Sequence, residues 1–297
     1  MKKVIIAGGT GFIGSYLKKR FERKGYRVLI VSREPGYVAW NPAELVDALE
    51  GAELILNLAG KSINCRHTEV NQQAIIASRV NATNAVGNAI KMCDKPPKLW
   101  VNASATGIYK PSFNHAMCED ELNLGTDFLS EVVRKWEAAF FGYKFPETRQ
   151  VALRTSVVLG STGGALEPLV KLTRYGLGGR QGNGKQLFSW IHEEDYFRIL
   201  LFLLENTLLN GVINCTAPTP VSNNELMYTL RNKLHVNIGL CAPKQFVKLG
   251  ALLMGMESEL ILNSSFVVPK RLLDAGYQFY YPTLDLALID LLRLHKT

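Results

Sequence analysis

One stretch near the amino terminus constrains this chain more than any other. In VIIAGGTGFIGSYL a short apolar run meets three glycines, Gly8, Gly11 and Gly14, at fixed spacing. The run Val4–Ala7 reads as a buried strand, and the residues from Gly14 to Lys24 read as an amphipathic helix. Between them each glycine has its own physical task. Gly8 permits a tight turn, Gly11 lets the backbone approach a pyrophosphate with no Cβ in the way, and Gly14 lets the helix lie close on the strand. The anion then sits at the helix N-terminus, where unpaired N–H groups and the helix dipole favour negative charge. With a second strand at Val28–Val31, the spacing predicts a dinucleotide-binding unit whose phosphate loop is Gly8, Thr10, Gly11, Phe12, Ile13 and Gly14.

The second strand ends in Ser32-Arg33, where an NAD-selective site places an acid to accept from the ribose 2′-hydroxyl. An arginine there can pair bidentately with a 2′-phosphate, and Ser32 can donate to the same group, so NADP(H) is the expected cofactor. An ordinary exposed arginine is the alternative. The third apolar run closes on Asn57-Leu58-Ala59-Gly60. Leu58, Ala59 and Gly60 are the expected contact, and the small Ala59 and Gly60 let backbone lie along the adenosine and ribose, although a tight turn explains Gly60 nearly as well.

Six short apolar runs recur, at Val4–Ala7, Val28–Val31, Leu54–Leu58, Leu99–Ala103, Val151–Leu153 and Val212–Asn214. Helix-length segments separate most of them, including Gly14–Lys24, Thr68–Met92, Thr126–Phe141 and Tyr196–Leu204. Continuous apolar strands joined by helices imply an α/β fold: a Rossmann-type doubly wound parallel sheet with helices on both faces. Residues 1–160, with 190–216 returning to them, form the expected dinucleotide-binding domain; 161–189 and 217–297 form a smaller C-terminal substrate lobe. Gly160 to Gly184 is rich in glycine and reads as loop-dominated, and 222–297 reads as helices and short strands. At 297 residues and 47% hydrophobic, the chain has ample material for one large core, which excludes a disordered or fibrous protein.

The 34 Lys and Arg residues against 26 Asp and Glu give a net charge of +8, which favours anionic partners. The basic residues are scattered, and the densest run, Lys18 to Lys24, falls on the wet face of a helix with no aromatic platform beside it, so no nucleic-acid partner is expected. Five cysteines with no C-x-x-C pattern predict neither a disulfide framework nor a metal site and point to a reducing compartment, the cytoplasm. Met1-Lys2-Lys3 imitates the start of a signal peptide, but the apolar run stops at Gly8, so it reads as the first strand. The longest apolar stretch, ILLFLL at 199–204, ends at Glu205, and no membrane span is expected.

GGTGFIG, Ser32-Arg33, NLAG and Ser104 after the fourth strand together resemble the short-chain dehydrogenase/reductase superfamily in its extended, epimerase-like branch. The stretches WVNASATGIY, KWEAA, ALRTSVVLG, GGRQGNGKQLFSWIHEED and VVPKRLLDAGYQFYYPTLDLAL narrow this to an atypical subgroup labelled nucleoside-diphosphate-sugar epimerase or cell-division-inhibitor-like. The resemblance spans the chain, including a distinctive C-terminal region from about Ala217. It implies an NADP(H)-binding oxidoreductase or epimerase-like protein acting on a small molecule. It also carries Arg79, Ala103 and Val158 toward the cofactor, Arg79 by its phosphates and Val158 against the nicotinamide. Ion pairing on a helix surface is the competing reading of Arg79.

The same resemblance exposes a departure. Members of the superfamily carry Tyr-x-x-x-Lys on the helix after the fourth strand, where the ammonium lowers the tyrosine pKa and the phenol exchanges a proton with substrate. None of the eleven tyrosines here is followed by lysine at the fourth position, and TDFLSEVVRKWEAAF, the segment that should hold the pair, contains no tyrosine. Three residues are the substitute catalytic candidates. Ser104 matches the superfamily's active-site Ser/Thr position but is equally read as a strand-end turn cap; Thr106 and Tyr109 share its loop, where Tyr109 is read first as a wall residue and second as an acid. On the helix, Trp136 reads as core and Glu137 as the partner of a nearby base; Arg154 ends the fifth strand beside the crevice. In FSWIHEEDYFRIL, Asp195 reads as a helix N-cap with His192 hydrogen-bonded beside it, the alternative being a base with its orienter or a metal ligand. The rival to an enzyme is a catalytically inactive NADPH-binding sensor. Asn71, Asn81, Asn84 and Asn88 make the 68–92 helix polar for a dimer core, which leaves monomer and homodimer both open.

Overall fold

The computed structural model describes residues 1–253, 255 and 257–293. Strands β1 (Lys3–Ala7), β2 (Arg27–Val31), β3 (Leu54–Asn57), β4 (Leu99–Ala105) and β5 (Arg149–Thr155) are followed by four short ones, β6 (Val157–Gly160), β7 (Gly163–Gly164), β8 (Leu187–Phe188) and β9 (Trp190–His192), then β10 (Gly211–Cys215) and β11 (Val221–Ser222). The six expected strands form one sheet in the order β10-β5-β4-β3-β1-β2. Every pairing within it is parallel. The order reverses between β1 and β3, which opens a crevice at their carboxyl ends.

Alternation along β1 sends Val4 and Ile6 to one face, and Ile5 and Ala7 to the other. On the first face pack Leu17 and Phe21 of α1 (Phe12–Arg23) with residues 197–203 of a later helix. The second face is covered by α2 (Pro42–Leu49), α3 (Glu69–Lys91) and α4 (Phe128–Phe141), through Leu49, Ile90 and Phe140. Both faces are therefore sealed, which is why the strands read as unbroken apolar runs.

The segment 160–184 departs from the expected loop. It contains α5 (Leu166–Leu172) and a π-type turn through Thr173–Leu177, because Leu166 and Val170, one turn apart, are buried against Trp190. After α6 (Glu193–Glu205) come α7 (Asn223–Leu234), α8 (Lys244–Leu253), α9 (Glu259–Leu262), α10 (Lys270–Asp274) and α11 (Leu284–Arg293). Beyond Ser222 the described residues form helices and bridges rather than the short strands expected there. Val267 bridges Met117, and Ala242 bridges Gln181. A separate apolar cluster joins Trp190, Leu226, Leu230, Leu288 and Leu291, and ties α7 and α11 to β9.

The basic run on α1 is a helix face, as its composition implies. Lys18 pairs with Glu22 at 2.6 Å in solvent, while Arg20 turns inward to Glu194 at 2.6 Å and docks α1 on α6. Asp195 corrects a reading of the sequence. The N-cap of α6 is His192, whose Nδ1 accepts from the Glu194 N–H at 2.9 Å. Asp195 is fully buried and accepts instead from the backbone N–H groups of Tyr280 and Tyr281, both at 2.8 Å, and from the Tyr277 hydroxyl. The carboxylate that local spacing assigns to its own helix thus pins a loop some 85 residues away in the chain.

Candidate functional site

The loop between β1 and α1 has the geometry its glycines require. Gly8 sits at φ +72°, and a Cβ there would lie 2.7 Å from the Ala59 Cα, so the first and third strand-end loops touch at this point. Gly14 packs so tightly that a Cβ would lie 2.4 Å from the Gly9 Cα; helix α1 lies on the loop itself. Gly9, which the spacing rule passes over, is equally constrained, since a Cβ would meet the Ile30 side chain at 2.5 Å. Gly11 is the opposite case. Nothing lies within 4 Å of the position a Cβ would take, and it forms the N-cap of α1 with no side-chain hydrogen bond to the helix start. Open space therefore faces the unpaired N–H groups at the head of α1. Thr10 is exposed in the turn, its carbonyl accepting from Ser15.

Around this opening stand the other expected residues. Ser32 accepts the Glu34 N–H at 3.2 Å, which leaves its hydroxyl proton free to donate, and Arg33 is exposed beside it. Leu58 and Ala59 are held by the Ala7 carbonyl and the Asn57 side chain, at 2.8 and 3.1 Å. Gly60 lies under the Arg79 side chain, where a Cβ would come within 3.1 Å of the guanidinium carbon. Arg79 donates to the carbonyls of Lys61 and Ile75 and stacks 5.1 Å from the Trp136 ring. Burial alone lowers its pKa to about 10.

The side chains of Phe12 and Val158 pack together beside the loop, while the Phe12 N–H opens α1. The Phe12 ring turns away from the opening to the β6–β7 hairpin, where Cβ atoms at Gly160 and Gly164 would meet it at 2.4 and 2.7 Å. This contact explains the glycines of GSTGGA. Val158 packs beside Phe12, Ile13 and Tyr196, and its neighbour Val157, on the other side of β6, faces the cavity described next.

A cavity of about 390 Å³ lies between the ends of β4 and β5, helix α4 and residues 259–267. From α4 it is lined by Leu129, Val132, Val133 and Trp136, one helix face with no exchangeable proton except the indole N–H. That N–H donates to Thr83 at 3.0 Å, in a buried chain that continues to Asn102 and Asn57. Local pattern does not mark this hydrogen-bonded chain: Asn57 and Asn102 are single amides in apolar strand runs, and Thr83 is one of several polar residues on α3.

Two of the three candidate catalytic residues, Ser104 and Tyr109, meet in one hydrogen-bonded network. Ser104 donates to Glu137 at 2.6 Å, and Arg154 clamps both oxygens of the same carboxylate at 2.8 Å. Arg154 also donates to the Tyr109 hydroxyl at 2.9 Å, and that hydroxyl donates to Asn214 at 2.8 Å. Burial would lower the Arg154 pKa, but the hydrogen bonds and charge of Glu137 outweigh it and hold the guanidinium above its ordinary range. Burial pushes the Tyr109 phenol up to about 12 against the opposing pull of Arg154. Ser104 and Tyr109 are thus committed to protein partners, and Glu137 partners a base as its position suggests. Thr106, buried at the cavity wall, has no side-chain hydrogen bond among the described residues. Ala103 lends its carbonyl to Asn102 at 2.9 Å.

Residues 4–131 match the NAD dependent epimerase/dehydratase family, and residues 242–291 match a domain of unknown function, DUF1731. The epimerase family protein MW0731 of Staphylococcus aureus is 34% identical over 99% of this chain and 100% of its own length. The chain belongs to the NAD-dependent epimerase/dehydratase family. A human family member, SDR39U1, is 36% identical over 97% of this chain and 99% of its own. The crystal structure of its isoform 2 with NADPH superposes at a TM-score of 0.90, with 34% identity and coverage of 98% and 99%. A nucleoside-diphosphate sugar epimerase from Corynebacterium glutamicum superposes at 0.77 with 28% identity, over 97% of this chain and 57% of that one. Among the described residues no helix is long and apolar enough to cross a membrane.

Proposed function

We propose that the chain binds NADP(H) across the crevice and serves as an NADP(H)-dependent oxidoreductase or epimerase-like protein acting on a small molecule, without the Tyr-x-x-x-Lys pair. The observation that carries this reading is the open, uncapped head of α1 over Gly11, framed by Ser32 and Arg33 with no acid at either position. The solved NADPH complex of a family member with the same fold supports it. In this reading the N–H groups that open α1 take the pyrophosphate, and Arg33 and Ser32 take the 2′-phosphate. Leu58, Ala59 and Gly60 back the adenosine ribose. Arg79, desolvated over Gly60, faces the inner end of the cofactor with Ala103. When bound, the reduced nicotinamide supplies hydride; the chain binds, orients and excludes water. Residues 161–189 and 217–297 act as a substrate lobe that closes the cavity over β4 and β5. The five cysteines, all unpaired, suit a reducing compartment such as the cytoplasm.

Calorimetry with NADPH and NADH tests the reading. NADPH binds more tightly, and Arg33→Ala removes most of that preference; equal affinities, or an unchanged preference in the variant, would overturn it. A second reading, a binding protein that reports cofactor state without turnover, is favoured by the network that occupies Ser104 and Tyr109. Cofactor oxidation in the presence of a range of carbonyl acceptors separates the two.

A further inference from the structure

The cavity wall is unusual in what its polar residues are already doing. Ser156 donates to the Cys215 carbonyl at 3.2 Å, and Gln186 donates to the Gln181 carbonyl at 2.9 Å. Ser189 donates to the Ser265 carbonyl at 2.7 Å and accepts the Val267 N–H at 2.9 Å. Ser264 is likewise used twice, toward the Ser112 carbonyl at 2.6 Å and the Leu187 N–H at 3.0 Å. Asn223 spends its amide on the backbone and side chain of Gln181, at 2.8 and 3.0 Å. Most of what the wall offers an incoming molecule is therefore apolar and aromatic surface, Phe188 and Phe266 facing the α4 side with its Trp136; of its charged residues, Arg79 donates to the Lys61 and Ile75 carbonyls, Asp127 accepts from Ser130 and Glu259 accepts from Ser258. The Thr106 hydroxyl stands uncommitted among the described residues, and Lys110 stands exposed at the rim.

A sugar nucleotide fits such a wall poorly. Each sugar hydroxyl buried there without a partner costs about 1–3 kcal/mol, and a diphosphate needs several donors. No ready acid lies beside the apolar seat either, since the Tyr109 phenol is held between Arg154 and Asn214 and the α4 face carries no proton donor toward the space. A simple ketone or sugar carbonyl would leave a strongly basic alkoxide after hydride addition. A quinone would not, because its reduced anion is delocalised and takes its proton from water.

We infer that the cavity receives a flat, apolar, electron-poor carbonyl compound of the quinone class, seated between the α4 face and Phe188 and Phe266, with one oxygen accepting from Thr106. The inference rests on the NADP(H) reading for its reductant. The quinone gains a hydride, two electrons and one proton, from a reduced nicotinamide, which is left oxidised; water then protonates the hydroquinone anion. Binding of the quinone itself requires no cofactor.

The test uses the full chain and duroquinone, whose ring is fully methylated and cannot add the free thiols. Titration without NADPH, read by tryptophan fluorescence and by calorimetry, is set beside the same titration with UDP-glucose. Duroquinone binds and UDP-glucose gives no saturable signal. Val133→Lys, which puts a charge into the apolar face, weakens duroquinone by about tenfold or more. Thr106→Val, a near-isosteric change that removes the hydroxyl, weakens it by a few-fold. In both variants NADPH affinity, measured separately, stays within about twofold. Saturable UDP-glucose binding, or duroquinone binding that is absent or indifferent to both substitutions, would overturn the inference. Absence of NADPH binding with duroquinone binding intact would instead refute the cofactor reading and leave the quinone-class cavity standing.

Discussion

The glycine loop and the cavity wall lie on the same crevice and are built on opposite principles. At the loop, backbone donors open α1 with no side chain to satisfy them, and the space above Gly11 is clear. At the wall, Tyr109, Ser156, Ser189 and Ser264 have all found protein partners, and what remains is largely apolar. Unsatisfied donors at a helix head make a receptor for an anion, whereas satisfied polar groups make a receptor for apolar surface. The difference separates an end of the crevice suited to an anion from an end suited to apolar surface.

The largest effect is expected at Glu137, which holds the buried Arg154. Removing this carboxylate leaves Arg154, 6% exposed, as an uncompensated buried cation. Glu137→Ala therefore destabilises the fold by about 3–5 kcal/mol in denaturant titration, with the double variant Glu137→Ala, Arg154→Met recovering much of the loss. A full loss retained in the double variant would show that the network holds more than this ion pair.

His192 lies at the head of α6, stacked 3.8 Å from the Tyr281 ring, with Asp290 of α11 3.4 Å from its Nε2. Burial lowers its pKa to about 4, outweighing the nearby Glu194 carboxylate. The unfolded chain then binds the extra proton first, so stability is fully present above the ordinary histidine range and is lost as pH falls from about 6.5 toward 4. The loss amounts to about 3 kcal/mol over that window. His192→Gln should flatten that part of the stability–pH curve, and an unchanged slope would place the titration elsewhere.

Gly11 and Gly14 sharpen the contrast within the loop. A Cβ at Gly11 meets no atom within 4 Å, so Gly11→Val, a poorer N-cap, moves the melting temperature by only a few degrees while NADPH affinity falls by about a hundredfold, or roughly 2.7 kcal/mol. Gly14→Ala runs into the Gly9 backbone and lowers the melting temperature itself. If both variants melt alike, the loop is structural throughout. At the small end, Glu22→Ala removes a solvent-exposed pair to Lys18 and changes stability by less than about 1 kcal/mol.

Most of the fold was legible because it rests on local repetition. Buried parallel strands announce themselves as apolar runs, and Gly8, Gly11 and Gly14 mark a turn that few other residues can make. The site was legible in part. Ser104, Tyr109, Glu137 and Arg154 could each be picked out as residues at strand ends or on the helix, but nothing local shows that they join into one network across 33 and 45 positions. Asp195 illustrates the limit: helix-start spacing points to a cap, while its actual partners are supplied by tertiary packing from Tyr277, Tyr280 and Tyr281. Phe12 shows the converse, since the glycines of Gly160–Gly164 answer to an aromatic ring about 150 residues earlier. Val157 and Val158 differ by one position, and only the pleat of β6 decides which of them meets the cavity.

The open head of α1 is proposed as an anion site selective for the 2′-phosphorylated dinucleotide. Isothermal titration of the purified chain with NADPH, NADH and NADPH on Gly11→Val decides it in one set of experiments. Saturable heat with NADPH, at least about tenfold weaker binding of NADH, and loss of the NADPH signal in a variant that still melts within a few degrees of the wild type are the expected results. Equal binding of NADPH by Gly11→Val, or no heat with either nucleotide, would contradict the claim.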